Sequence, residues 1–188
     1  MANAEICDGK WHDGKNLIKT RMRIYLAGPD VFRPDARKWA DDAYALLARH
    51  GHEALIPLDS GATSAAGIYA ANMALIRAAD ALLANLNPFR GFEPDSGTCF
   101  EIGSAITLGK PVVGYLADAR SLAERMASRR GLAVASQGQQ LDEKGWWVED
   151  FDMPVNLMLG VPCRVVEGGL EQALLALPGN DEGRLIPA

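Results

Sequence analysis

The stretch ANLNPFRGFEPDSGTCFEIGSAITLGKPVVGY, residues 84–115, decides the fold. It continues a short apolar run, residues 81–86, of the kind expected for a strand buried on both faces. The loop at residues 87–97 then carries two prolines, two glycines, an arginine and two acids. A helix is predicted over residues 98–108, and a second strand over residues 112–116. This strand–loop–helix–strand unit is typical of a parallel sheet covered by helices.

Two carboxylates, Asp95 and Glu101, belong to this unit. Open parallel sheets bind ligands beyond the carboxyl ends of their strands, where the loop is expected. Thr98 and Glu101 fit a capping box, which would make Glu101 structural. Alternatively, Glu101 faces a cleft, is kept ionised by the helix dipole and attacks a sugar–heteroatom bond. Asp95 could hold sugar hydroxyls or serve only as a turn residue. Spacing alone leaves these alternatives open.

The rest of the chain alternates strand-like and helix-like segments. Strands are predicted at residues 23–27, 54–58 and 163–166, and helices at residues 34–50, 67–79, 120–130 and 170–177. The fold class is therefore α/β, a single-domain flavodoxin-like or Rossmann-like sandwich with four to five parallel strands and helices on both faces. We expect one domain at residues 22–179, preceded by a flexible extension at 1–21 and followed by a tail at 180–188.

Composition narrows the function further. The chain has 188 residues, 48% of them hydrophobic, and a net charge of −5, which argues against nucleic acid as a partner. Three cysteines without metal-ligand spacing favour reduced thiols and a cytoplasmic location. No apolar run is long enough for a membrane span, and the three histidines form no metal cluster. The first strand is followed by LAGPDVF rather than by a dinucleotide-binding glycine motif, and no P-loop is present.

Four blocks in the same order resemble the nucleoside 2-deoxyribosyltransferase family. They are IYLAGPDVF at residues 24–32, NPFRGFEPDSGTCFEIGSA at 87–105, GKPVVGY at 109–115 and DMPVNLML at 152–159. Members of that family cleave the N-glycosidic bond of a 2′-deoxynucleoside and pass the deoxyribosyl group to another nucleobase. The resemblance implies the same reaction here, with no metal and no organic cofactor.

The resemblance also implies roles for five residues. Glu101 matches the family's nucleophile, Tyr25 the tyrosine that hydrogen-bonds it, and Asp95 the carboxylate that binds sugar hydroxyls. Asn156 and Met158 match residues that a neighbouring subunit lends to the active site, so the resemblance implies at least a homodimer. On residues alone, Tyr25 could instead be a core residue, and the segment with Asn156 could pack within its own subunit.

One position departs from the family pattern. Asn72 lies on the apolar stripe of a predicted helix, where many members carry an aspartate that exchanges a proton with the base. Asparagine can hydrogen-bond a base or neighbouring backbone, but it supplies no proton at neutral pH. Phe32, Arg90 and Gly97, in the loops around the expected cleft, are further candidates for substrate contact, with Arg90 a candidate phosphate partner.

Two other functions remain open at this point. The first is an N-glycoside hydrolase of the same superfamily that uses water as the acceptor and acts on nucleosides or their 5′-monophosphates. The second is a catalytically silent nucleoside-binding module, against which the intact Glu101 and Asp95 argue.

Overall fold

The computed structural model of the chain describes residues 21–58, 61–130, 133–134 and 138–178. The predicted N-terminal extension, apart from residue 21, and the predicted C-terminal tail lie outside these residues. Residues 59–60, between the predicted strand at 54–58 and the predicted helix at 67–79, lie outside them as well.

The described part of the chain alternates strands and helices, as predicted. The strands are β1 Arg23–Ala27, β2 Glu53–Leu55, β3 Ala81–Asn85, β4 Val112–Leu116, β5 Ala133–Val134, β6 Gln140–Leu141 and β7 Arg164–Glu167. The helices are α1 Ala36–Arg49, α2 Ala65–Ala78, α3 Ser96–Thr107, α4 Leu122–Arg130, α5 Leu157–Gly160 and α6 Leu170–Leu175, with a 3-10 helix at Pro29–Phe32.

Five parallel strands form one sheet in the order β2-β1-β3-β4-β7. This is the flavodoxin-like order, in which the chain reverses direction across the sheet between β1 and β3 and opens a crevice at their carboxyl ends. The predicted α/β fold is confirmed. The short antiparallel pair of β5 and β6 stands apart from this sheet and was not predicted.

Successive side chains on each strand point to opposite faces of the sheet, and they form one apolar core on each face. Ile24 faces α1 and α6, where it packs with Leu47 and Leu174. Tyr25, the next residue of β1, points to the opposite face and packs with Ile102 of α3. Helices therefore cover both faces of the sheet, and β1 delivers Tyr25 to the same side as α3.

The close packing of the central strands requires glycine at one position of β4. A Cβ atom on Gly114 would lie 2.2 Å from Cδ1 of Leu86, the residue that follows β3. Leu86 is itself buried, so a side chain at position 114 would displace it where the loop that precedes α3 leaves the sheet.

Two predictions about local structure were wrong. Ile68 lies one helical turn before Asn72 on the predicted apolar stripe, but its side chain is 41% exposed rather than buried. That helix begins at Ala65, because the side chain of Ser64 caps the N–H of Gly67. The strand expected at residues 54–58 is limited to Glu53–Leu55. In the described part of the chain, no helix combines the length and the apolarity that crossing a bilayer requires.

Candidate active site

Three side chains from separate elements meet beside the crevice. Tyr25 of β1 is fully buried, and its hydroxyl donates to Oε1 of Glu101 at 2.5 Å. Asn72 of α2 donates to the same oxygen through Nδ2 at 3.5 Å. Oε2 of Glu101 accepts no hydrogen bond from the described residues. One carboxylate oxygen is thus held by two donors, while the other is left available to react.

Burial dominates the electrostatics of Glu101. It raises the pKa of this carboxyl from 4.5 to about 7, against the hydrogen bonds from Tyr25 and Asn72, which lower it, while the charge of Asp95 adds to the increase. Burial also raises the pKa of Tyr25 well above its ordinary value, so its hydroxyl stays a donor. The expectation that the helix dipole keeps Glu101 ionised was wrong. Glu101 lies in the second turn of α3, beyond the reach of that effect.

The capping-box interpretation of Glu101 was also wrong. Helix α3 begins at Ser96, two residues earlier than predicted, and its N-cap is Asp95. Oδ2 of Asp95 accepts from the backbone N–H of Thr98 at 3.0 Å and from the Thr98 hydroxyl at 3.3 Å. Asp95 is therefore the capping residue, and Thr98 is one of the residues whose N–H it caps. Glu101 takes no part in this cap.

Asp95 keeps part of its binding capacity while it caps α3. Its Oδ1 accepts no hydrogen bond within the described residues, so this oxygen can accept from a ligand hydroxyl. Gly97 permits the close turn, because a Cβ there would lie 3.0 Å from Oδ2 of Asp95. The structure therefore gives Gly97 a packing role beside Asp95.

Two phenylalanine rings and one guanidinium group pack together in the loops that follow β1 and β3. The rings of Phe32 and Phe89 stack with centroids 5.6 Å apart and an angle of 14° between their planes. The guanidinium of Arg90 lies over both rings, 4.7 Å from the centroid of Phe89 and 5.6 Å from that of Phe32. Arg90 has a φ of 56°, a conformation that non-glycine residues rarely adopt. The structure thus brings Phe32 and Arg90, both predicted from the sequence, into contact.

Asn156 and Met158 lie at the start of α5. Oδ1 of Asn156 accepts from the backbone N–H of Met158 at 3.0 Å, and its Nδ2 donates to Glu149 at 2.7 Å. The side chain of Met158 is exposed, at 72%. Within the described residues, Asn156 forms no hydrogen bond with Glu101.

Sequence reasoning gave no role to a polar network at the same edge of the sheet. Nδ2 of Asn85 donates to the buried Asp30 at 2.7 Å, and Oδ1 of Asn85 accepts from the backbone and the side chain of Asn87 at 3.1 and 2.7 Å. Oδ1 of Asn87 in turn accepts from the N–H of Ala117 at 3.0 Å. A Cβ on Gly28 would approach Asn85 to 2.8 Å. In the sequence, Asn85 is the polar residue that ends the otherwise apolar strand β3, and this position could have indicated the network.

The described residues contain no group of histidine, cysteine, aspartate and glutamate side chains that could hold a metal ion. Instead, the site presents one partly ionised carboxylate, a phenol and amide donors, and a second carboxylate. Such a set suits nucleophilic attack on an electrophilic carbon.

Comparisons with known proteins identify relatives of this chain. A 2-desoxiribosyltransferase from Leishmania mexicana has a similar structure, with a TM-score of 0.67 and 38% identity over 81% of this chain and 93% of the other. An uncharacterized protein of Schizosaccharomyces pombe is 31% identical over 57% of this chain, and the match spans 56% of that protein. A CMP N-glycosidase of Clostridium botulinum is more distant, with 18% identity over 81% of this chain and 94% of the other and a TM-score of 0.43.

The family model described as nucleoside 2-deoxyribosyltransferase matches residues 24–158, which include every residue of the Tyr25–Asn72–Glu101 cluster as well as Asp95 and Asn156. The chain belongs to the nucleoside 2-deoxyribosyltransferase family.

Proposed function

We propose that the protein cleaves the N-glycosidic bond of 2′-deoxynucleosides and transfers the deoxyribosyl group to a second nucleobase. The observation that carries the proposal is the arrangement of Glu101, whose Oε1 is held by Tyr25 at 2.5 Å and whose Oε2 has no partner among the described residues. Holding one oxygen fixes the plane of the carboxylate and aims the other at a substrate.

The proposed reaction is a double displacement. Oε2 of Glu101 attacks the anomeric carbon, and the electron pair of the breaking C–N bond leaves with the base nitrogen. The second base attacks the resulting glycosyl ester from the face that the first base left, and Glu101 departs as a carboxylate. Two inversions give overall retention, as in retaining glycosidases. The raised pKa of Glu101 means that only the ionised fraction at neutral pH can react.

The base must acquire its proton by a route that avoids Asn72. The amide at this position can donate a hydrogen bond to the base, but it cannot transfer a proton to it at neutral pH. Its Oδ1 is buried without a partner among the described residues. A substrate whose base leaves without prior protonation by the protein suits this site best.

Sugar recognition is assigned to Asp95 and Asn156. The free Oδ1 of Asp95 supports a hydrogen bond to a sugar hydroxyl, and Asn156 would hold the other hydroxyl from a neighbouring subunit. Met158, the second lent residue, is 72% exposed in the isolated chain, as suits a side chain covered by a second copy. The active unit on this proposal is at least a homodimer.

Hydrolysis of 5′-monophosphates is the second candidate, and Arg90 is the observation in its favour. Its guanidinium is held over Phe32 and Phe89 and forms no ion pair with the described residues. A cation with free donors at the mouth of the crevice suits a phosphate.

One assay separates these candidates. The protein is incubated with a 2′-deoxynucleoside, with and without a second base, and the products are followed by chromatography. We expect a new deoxynucleoside that forms only when the second base is present. Without that base, free sugar should be released more slowly than the new deoxynucleoside forms with it. Equal sugar release in both reactions, or faster turnover of a 5′-monophosphate that Arg90→Ala abolishes, favours the hydrolase. No turnover of any substrate contradicts both enzymatic proposals.

A further inference from the structure

Glu149 makes two short contacts with the residues that begin α5. Its Oε2 accepts from Nδ2 of Asn156 at 2.7 Å, and its Oε1 accepts from the backbone N–H of Leu157 at 2.5 Å. A carboxylate that receives two donors in this way makes charge-assisted hydrogen bonds, which are stronger than those between neutral groups. The side chain of Glu149 is thereby fixed to both the backbone and the amide of one short turn.

The contact with Glu149 determines which way the Asn156 amide faces. The carboxylate oxygens of Glu149 accept hydrogen bonds and the N–H of Met158 donates one, so the amide nitrogen faces Glu149 and the amide oxygen faces Met158. One N–H and one lone pair of the amide then remain, in fixed directions, for a sugar hydroxyl. Without Glu149, only the N–H of Met158, among the described residues, would hold the amide, and no acceptor would fix the direction of its nitrogen.

The turn itself is anchored to α4. The guanidinium of Arg125, which is only 3% exposed, donates to the carbonyl of Pro154. The N–H of Leu122 donates to the carbonyl of Met153 at 2.8 Å. The backbone on the N-terminal side of Asn156 is thus held by a separate set of contacts. Among the side chains of the described residues, Glu149 is the one that holds the Asn156 amide.

We propose that Glu149 is the positioning residue for Asn156, which sets the direction of the sugar-binding amide without touching the substrate. This inference rests on the proposed function, because it assigns Asn156 to the sugar. It goes beyond that function in naming a residue, outside the four sequence blocks, on which the affinity for the sugar depends.

A double-mutant cycle tests the inference. Glu149→Gln keeps the shape of the side chain but replaces one acceptor by a donor, and it should raise KM for the deoxynucleoside about tenfold with a smaller change in kcat. In an Asn156→Ala background the same substitution should change KM less than about twofold, because Glu149 acts through the missing amide. Asp150→Asn removes the same charge from the adjacent, exposed position and should leave KM unchanged in both backgrounds.

Equal effects of Glu149→Gln in the two backgrounds would overturn the proposal, as would no effect in the wild-type background. Glu149→Asp, which keeps the charge but shortens the reach, repeats the cycle if the first variant melts much lower than the wild type. If the wild type turns over deoxynucleosides and Asn156→Ala equals it in KM, the positioning role fails while the proposed reaction stands.

Subunit mixing shows where Glu149 acts. Glu149→Gln subunits retain Glu101, and inactive Glu101→Ala subunits retain an intact Glu149–Asn156 pair. If Asn156 is lent to the neighbour, mixed dimers contain a site with wild-type KM. If KM stays raised after subunit exchange, Asn156 serves its own subunit, and the shared site is rejected while the cycle still decides the role of Glu149.

Discussion

Two polar clusters lie at the same edge of the sheet, and they differ in how completely their hydrogen bonds are formed. The scaffold cluster consists of Asp30, Asn85 and Asn87. Asn85 is satisfied by Asp30 on one side and by Asn87 on the other, and Asn87 continues the chain of bonds to Ala117 at the end of β4. Such a network ties three neighbouring strands together and has little capacity left for a ligand.

The reactive cluster consists of Tyr25, Asn72 and Glu101. Among the described residues, Oε2 of Glu101 and the buried Oδ1 of Asn72 have no partner, and burial raises the pKa of Glu101 to about 7. Unmet hydrogen-bonding capacity beside a shifted pKa is typical of sites that do chemistry. The comparison teaches that completeness of bonding, rather than polarity, separates a scaffold from a reactive site.

The largest effect is expected from Glu101→Gln. Removing a nucleophile costs several orders of magnitude in rate, and we expect a loss of roughly 10⁴-fold or more in kcat, with the hydrogen bond from Tyr25 retained. Steady-state kinetics measures it. Asp41→Asn, which alters an exposed acid on α1, serves as the control and should keep the wild-type rate. A Glu101→Gln variant with substantial turnover would remove Glu101 from the mechanism.

The same variant should be more stable than the wild type at alkaline pH. The pKa of Glu101 is raised from 4.5 to about 7 on folding, so the native state binds more protons between these values and its stability falls as pH rises through this window. Above pH 7 the cost is on the order of 3 kcal/mol, and glutamine does not incur it. Denaturant unfolding at pH 4 and pH 8 should show a gain only at pH 8, and an equal gain at both would contradict the raised pKa.

A smaller effect, on stability alone, is expected in the scaffold cluster. Asn85→Ala leaves the buried carboxylate of Asp30 without its 2.7 Å donor and should cost about 2 kcal/mol of unfolding free energy. The pH at which kcat/KM falls to half should stay near that of the wild type. A shift in that pH without a loss of stability would show that the two clusters are not separate.

The smallest change sharpens the role of Tyr25. Its hydrogen bond lowers the pKa of Glu101, so Tyr25→Phe should move the acidic inflection of kcat/KM from near 7 to higher pH, by about one pH unit. Activity should recover at pH 9, because the carboxylate is then ionised without help. A pH profile that matches the wild type at a uniformly lower rate would assign Tyr25 to packing.

The fold could be predicted from the sequence because each strand and helix is indicated by residues within its own short segment. The apolar run of β3, the break at Gly109 and the run of β4 each predict their element without knowledge of the rest of the chain. The start of α3 was missed because Thr98 and Asp95 are both good N-caps, and the stronger one, Asp95, lengthens the helix by two residues.

The candidate site was predictable only through the resemblance. Tyr25 and Glu101 are separated by 76 positions, and Asp30 and Asn85 by 55, so no local pattern predicts either contact. The raised pKa of Glu101 could not be predicted from the sequence either, because it depends on how deeply β1, α2 and α3 bury this carboxyl. Such effects arise from tertiary packing rather than from the spacing of residues along a helix.

The central claim is that Glu101 forms a covalent bond with the sugar, and the mass of the intact protein tests it most directly. The protein is mixed with a 2′-deoxynucleoside in the absence of an acceptor base, quenched in acid and measured by mass spectrometry, followed by digestion to locate any adduct. We predict a mass increase of one deoxyribosyl group on the peptide that contains Glu101, which disappears when a second base is added and is absent in Glu101→Gln. Turnover without any adduct under rapid quenching, or an adduct on another residue, would contradict the account.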